Sequence, residues 1–528
     1  MSIPESVDRA KIHRAPGAVD YLGQILEGMS MSVSRLGVVA GVVVAVAALL
    51  VGCTPSSSPT SASTTLTVGV TLEPGTLDLT TSDAASIPQL LLYNVYETLV
   101  KMDSSGAIQP LLATSYDVSP DNKTYTFHLD PAAKFASGTP VTADAVVASI
   151  NRVRQAASET LKSQMAVVHD VQAIDEHTVQ VVLSQPSNFW LYNMTSTAGI
   201  VFDPAITDLA TAPMGSGPYM FDSWTKGDRI TLKKNPNYWG TPARFDHVVF
   251  RYIPDPNAMV SAMLSGDLDI VGEMTSPDSL SMFSDTSKYS VIEGTTNGEI
   301  VLGFNHARTS LQNLLVRQAI CYAIDRQALV NTVWGGKGVV IGSMSVPTDP
   351  WYTDLSGTYP YNPDKAKQLL AQAGVSNLTL SLRVPITPYA PPAATFIASE
   401  LAQVGITAKV EELDFSSRWL PEVFLGGDYD MTIVAHVEAR DIVNWANPDY
   451  YWHYDNPAFQ AQIAKADQAS PSDFVPDMVT ATQMLADDAA ADFLFVFPNL
   501  IVARIGITGI AQNATSLSFD VTTIVAGG

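Results

Sequence analysis

Apolar and polar positions alternate with period two over Leu66–Val70 and again at 121–129, 177–183, 229–233 and 247–253, which predicts strands there. Between these runs the apolar period lengthens. Leu90, Leu91, Val95 and Leu99 predict a helix over 86–100. Val146, Val147, Ile150 and Val153 predict another, with Thr142 as its N-cap. Further helices are expected at Ala258–Leu264, ending at Gly266, and as one long amphipathic run from Leu314 to Val333. Pro363–Ala373 has proline in its first turn and Gly374 just past its end. Strand, helix and strand then follow at 378–384, 392–404 and 406–413. No short period repeats, which argues against a solenoid. Strands and helices alternate in both halves, so the fold class is α/β.

The first residues break this pattern. Leu36–Gly52 carries no charge, follows Arg35 and ends Leu50-Val51-Gly52-Cys53. The run is at the lower limit for a membrane-spanning helix. A charge, an apolar run and a small-residue site make the layout of an export signal. The ending resembles the bacterial lipobox, which implies cleavage before Cys53 and a diacylglycerol on its sulfur; a plain transmembrane anchor is the other reading. Residues 1–28 carry Glu5, Asp8, Asp20 and Glu27, which a basic leader lacks, so translation is expected to begin at Met29 or Met31. The export signal therefore covers 1–52. The Ser-, Thr- and Pro-rich stretch within 53–65 reads as a flexible tether.

At 528 residues the chain has room for two to four units of roughly 100–200 residues. Its 29 Lys+Arg against 52 Asp+Glu leave a net charge of −23, a field that repels phosphate backbones and argues against a general nucleic-acid binder. The two cysteines, Cys53 and Cys321, exclude a disulfide-dense scaffold and any zinc site of three or four thiolates. Cys321 lies on an apolar helix face and reads as a small core residue. No G-x-S-x-G, H-E-x-x-H or Walker sequence occurs, so the reading is of a binding protein; a secreted hydrolase built on a carboxylate pair is the rival of another class.

A series of short blocks then recurs in order: Tyr96-Glu97-Thr98-Leu99-Val100, Phe135 to Asp144, Gly215-Ser216-Gly217-Pro218-Tyr219, Asn235 to Gly240, Ser265 to Asp269, Phe304-Asn305, and Val316-Arg317-Gln318-Ala319 with Asp325-Arg326. Together they resemble the extracellular solute-binding proteins of the oligopeptide/dipeptide/nickel class, family 5. The resemblance implies a two-lobed periplasmic-binding-protein-like fold of type II, with ligand between the lobes. Lobe I would hold 66–300 plus 490–528, with an inserted subdomain near 96–204, and lobe II 301–489. It further implies a monomeric lipoprotein on the outer face of the cytoplasmic membrane. Such a protein passes a small solute, most often a peptide, to an ABC permease and its ATPase, without cofactor or metal. Oligosaccharides, glutathione-like compounds and metal chelates are the alternative solutes. Most blocks are expected to be architecture and not ligand contacts.

The candidate ligand residues cluster after Asp428-Tyr429-Asp430. In peptide-binding members an Asp shortly after this strand pairs with the α-amine. Asp441 is the match, although His436 stands where Trp is usual. A carboxylate suits an ammonium because a charge-assisted hydrogen bond is strong in a dry cleft. The alternative pairs Asp441 with Arg440 on a solvated loop. Trp445, with Tyr450, Tyr451 and Trp452, could cover ligand or pack a core. Arg418 and Arg440 offer planar forks to a carboxylate. His436 and Glu438 share a strand face. Asn297 and Glu299 lie on a segment suited to main-chain pairing with an extended peptide.

Overall fold

The computed structural model describes residues 65–527. The expected export signal, Cys53 and most of the tether lie outside them. No helix among the described residues is long and apolar enough to cross a membrane.

Two long antiparallel strands, Tyr289–Phe304 and Ala491–Arg504, run through the centre of an eleven-stranded sheet. Tyr289–Thr295 and Pro498–Arg504 pair in one register; Glu299–Gly303 and Ala491–Val496 pair beyond a first shift, with a second shift between Ile300 and Val301. Three residues, Thr296, Asn297 and Gly298, oppose Phe497 at the first shift. Such a bulge bends the strand and re-aims side chains. Here the Thr296 hydroxyl donates to Phe497 O (2.9 Å) and accepts from Gly298 N (2.9 Å), tying the two sides of the bulge together locally.

On one side of the bulge lie Ile270–Val271, Thr65–Val70, His247–Tyr252, Arg229–Lys234 and Tyr219–Thr225. A separate four-stranded sheet, Ala113–Val118, Thr124–Leu129, Thr178–Leu183 and Val168–Asp175, shares this lobe's core through Phe127 and Tyr125. On the other side lie Met431–His436, Leu378–Pro385 and Ile406–Leu413. The last two are parallel and joined through the helix Ala390–Gln403, the crossover that parallel strands require. Period-two alternation on the central strand divides this second lobe's core. Ile300, Leu302 and Phe304 pack against one layer with Leu382 and Ile397; Val301 packs on the other face with Trp445, Trp452 and Phe493.

The ordered blocks build this frame. Glu97 is fully buried and accepts from the Tyr238 hydroxyl (2.9 Å) and the Trp239 indole (3.2 Å); burial pushes its carboxyl up to about 7. A Cβ on Gly215 would stand 2.3 Å from Val95 O, so only glycine lets these two segments touch. Arg317 donates to the carbonyls of Leu311, Asp488 and Ala489, at helix ends where carbonyls lack intrahelical partners. Cys321 is a buried free thiol.

Two expected helices differ. The one over 86–100 stops at Leu91: Leu92 is extended and Tyr93 takes φ 64°. The apolar residues that follow are buried on all sides, and Asn94 serves the loop's backbone, donating to Leu90 O and Phe519 O. Helical spacing there records burial, not a helix face. The run from Leu314 to Val333 is two helices, Leu314–Ala323 and Arg326–Val333. Ile324 is extended, Asp325 caps the second helix through Ala328 N (3.0 Å), and the freed Asp325 N donates to Glu400 (2.7 Å).

Candidate ligand cleft

The bulge brings Asn297 to the floor of a cleft between the lobes. Asp83, Tyr192, Asn193 and Ser516 line it from the first lobe, Glu438 and Ala439 from the second. The cleft holds about 820 Å³ of atom-free space, its open mouth included. A narrow continuation runs past Asn297 and Tyr192 to Thr348, Asp349 and Arg440.

The second lobe's contribution comes from the segment that leaves the strand Met431–His436 and turns into the short helix Asp441–Ala446. Arg440 makes the turn with φ 63°, a left-handed conformation uncommon outside glycine and asparagine. This turn sends alternate side chains to opposite places. Asp441 faces inward, 5% exposed. One of its oxygens lies 2.9 Å from His436 Nδ1 and the other accepts from Asn444 Nδ2 (2.7 Å). His436 Nε2 is in turn 2.9 Å from the Tyr451 hydroxyl. Asp441 does not pair with Arg440, and both its oxygens are engaged by its own loop.

Glu438 and Arg440 face outward. Glu438 is exposed by area yet has protein on most sides, as befits a group on a cleft wall; burial, then the Asp441 and Asp83 charges, push its carboxyl up to about 7. The Arg440 guanidinium lies 3.8 Å from the Tyr192 ring centre, on the first lobe, and 5.0 Å from that of Trp351, on the second. Among the described residues it has neither an ion-pair nor a hydrogen-bond partner. Burial lowers its pKa, partly offset by Tyr192 and Asp349.

Behind them sits Glu299, opposite His436 across the strand pair and 3% exposed. Its Oε2 has no hydrogen-bond partner among the described residues. Burial raises its carboxyl well above the usual range, with Asp349 and Asp441 adding to the rise. Asp349 accepts from Val346 N (3.0 Å) and is pushed up to about 6 by burial. Four carboxyl groups and one arginine thus line or back this region, with Asp349 the acid whose charge acts on Arg440. A ligand cation relieves that imbalance, and a ligand carboxylate finds free donors on Arg440.

Two candidates lie elsewhere. Trp445 is 0% exposed and stacks on Trp452 at 3.8 Å in the core of the second lobe, so it presents no face to a ligand. Arg418 is 45% exposed on the segment Phe415–Phe424 and is bound to Glu411 (2.9 Å) and Glu422 (2.8 Å), which Arg383 also contacts. No group of three or more metal-ligating side chains occurs among the described residues. Tyr192, Asp83 and Asp349 were not singled out by the sequence. Tyr192 sits in Asn188–Asn193, whose Phe-Trp-Leu-Tyr run reads as core, and the acids carry no local motif.

Comparison with known proteins fits this geometry. Residues 107–459 match the profile of the "Bacterial extracellular solute-binding proteins, family 5 Middle". The probable D,D-dipeptide-binding periplasmic protein DdpA of Escherichia coli (strain K12) is 28% identical over 479 residues, covering 81% of this chain and 88% of that protein. The dipeptide-binding protein of the same organism is 28% identical over 366 residues, 63% of this chain and 67% of that one. Among solved structures, the binding protein AgaA from A. tumefaciens R10, in complex with agropinic acid, superposes with a TM-score of 0.75 at 27% identity, over 88% of this chain and 99% of AgaA. With the ordered blocks and the two-lobed sheet, the match assigns the chain: it belongs to the bacterial extracellular solute-binding proteins of family 5.

Proposed function

We propose that this protein captures a short peptide between its lobes and delivers it to an ABC permease, without chemical turnover. The observation that carries the reading is the placement of Glu438 and Arg440 two positions apart on one cleft wall, with no ion-pair or hydrogen-bond partner for Arg440 among the described residues. A peptide has an ammonium and a carboxylate. Glu438 takes the ammonium, with Asp441 fixing the loop and adding negative potential. Arg440 takes a carboxylate through its planar fork. Asn297 and Glu299 shape the floor at the crossing strands. The dipeptide-binding relatives support the ligand class.

Closure is a hinge at the bulge, where the lobes are joined by 295–299 and 496–498. Lobe I then holds 66–300 with the C-terminal return and the inserted subdomain, and lobe II the residues between. Ligand shifts the lobes shut to the extent that it binds the closed form better. Cys53, as a lipid-bearing N-terminus, would tether the protein to the outer face of the membrane. Cys53→Ala is then expected to release it into the medium or block its processing; unchanged membrane retention without lipid would overturn the anchor.

The test of function is mass spectrometry of whatever leaves the purified protein on denaturation, followed by titration calorimetry. Recovery of an intact peptide that binds stoichiometrically supports the reading. Recovery of a non-peptide solute, such as an opine-like acid, replaces the ligand class. Conversion at many turnovers per protein replaces the function.

A further inference from the structure

The two lobes also meet away from the cleft. We infer that the short helix Asn188–Asn193 of the first lobe is a clasp that holds the second lobe shut and sets ligand affinity from outside the ligand site, an inference that rests on the two-lobed binding reading above. The contact is a reciprocal capping between lobes. Asn188 Nδ2 donates to the carbonyls of Ala466 (3.1 Å), Asp467 (3.0 Å) and Ala469 (3.0 Å), at the C-terminal end of the helix Pro457–Gln468. Terminal carbonyls of a helix lack intrahelical partners. In return, one Asp467 oxygen accepts from the Ser187 hydroxyl (2.8 Å) and from Phe189 N (3.0 Å), at the start of the first lobe's helix. Phe189 closes the contact edge-on against Phe474, with ring centres 5.7 Å apart.

The clasp is rigidly mounted. Trp190 of the same helix is buried against Tyr125 and Phe127 of the four-stranded sheet. It also reaches the cleft, since Tyr192, one turn on, lies under Arg440. None of the capping residues lies on the wall formed by Glu438, Arg440 and Asn297. Their bonds join segments some 280 residues apart, and an opening hinge must break them. They therefore favour the closed form whether or not ligand is present, and affinity follows the population of the binding-competent form.

The experiment compares the full exported domain with Asn188→Ala, Asp467→Ala and Asp467→Asn, the last retaining an acceptor at Oδ1. Small-angle scattering of the ligand-free proteins reads the open fraction. Stopped-flow release and calorimetry with alanyl-alanine as probe read affinity. Asn188→Ala and Asp467→Ala are expected to enlarge the ligand-free particle and to weaken the probe about tenfold, mostly through faster release. Asp467→Asn should stay close to wild type in both. Circular dichroism checks that each variant is folded. Unchanged scattering in both alanine variants would overturn the clasp. If the wild type binds no dipeptide, the peptide reading fails while scattering still decides the clasp.

Discussion

Six residues, His436 to Asp441, hold two sets of polar groups treated in opposite ways. The inner set, His436 and Asp441 with Asn444 and Tyr451, is paired within the loop at 2.7–2.9 Å. Among the described residues the outer set, Glu438 and Arg440, has no ion-pair or hydrogen-bond partner for its charged ends; Glu438 is solvent-exposed on the cleft wall and Arg440 lies between the Tyr192 and Trp351 rings. Enclosing a guanidinium without a hydrogen-bond partner costs free energy, so a fold that pairs the inner set and leaves Arg440 unpaired beside it treats the two sets differently. The inner set holds the loop's shape. The outer set waits for a partner that the chain does not supply.

The largest effect should come from deep inside the inner wall. Trp445→Ala removes a ring stacked on Trp452 and is expected to cost about 3–5 kcal/mol of stability, read by urea melts. Any folded fraction should bind ligand with near-normal affinity. A stable variant with lost binding would instead put Trp445 on the cleft and break the distinction between the two walls.

Next comes the outer wall. Glu438→Gln keeps the shape and removes the charge; it should weaken an amine-bearing peptide about thirtyfold or more, without lowering the melting temperature of the ligand-free protein. Asp441→Asn should show the reverse, a stability loss of about 1–3 kcal/mol as the paired network is disturbed. Equal affinity losses with unchanged stability would mean that both acids meet ligand directly.

The same contrast predicts a pH dependence. Glu438 is protonated below about 7 in the ligand-free cleft, raised by burial and by Asp441 and Asp83, with Asp349, Glu299 and Arg440 also facing this region. An ammonium needs the carboxylate. Affinity for alanyl-alanine should therefore rise from pH 5 to 7 and level off above, with proton release on binding below pH 7. Calorimetry in buffers of different ionisation enthalpy measures the protons directly. Proton uptake, or affinity falling over that range, would assign Glu438 to a ligand anion held by its protonated form.

The fold was more legible than the site, for a physical reason. Strands and caps are written locally: Thr142 does accept from Ala145 N, and Pro363 opens the helix that ends before Gly374. The break at Asp325 was also written, as an N-cap residue inside an apolar run, but helical periodicity on both sides hid it. Glu438, Arg440, Asn297 and Glu299 could be named because they lie near one strand pair. Tyr192 and Asp349 could not, because the cleft joins segments far apart in the chain and each looks ordinary alone. Trp445 misleads for the converse reason: an aromatic run has the same sequence whether it covers a ligand or fills a core.

The smallest effect belongs to Arg418, and its smallness is informative. Its guanidinium bridges Glu411 and Glu422 on the outer face of the second lobe, and Arg383 contacts the same two acids, so Arg418→Ala leaves the network one cation that already holds it. Exposed ion pairs are screened by water and salt and add little to stability. Affinity and melting temperature should both match wild type within the error of calorimetry. Arg440→Ala, measured beside it, should lose affinity for a peptide but much less for its C-terminal amide, because only a ligand carboxylate uses the free fork. A tenfold affinity loss in Arg418→Ala would show that the outer face takes part in binding, and that an arginine already engaged by two carboxylates can still recruit a ligand.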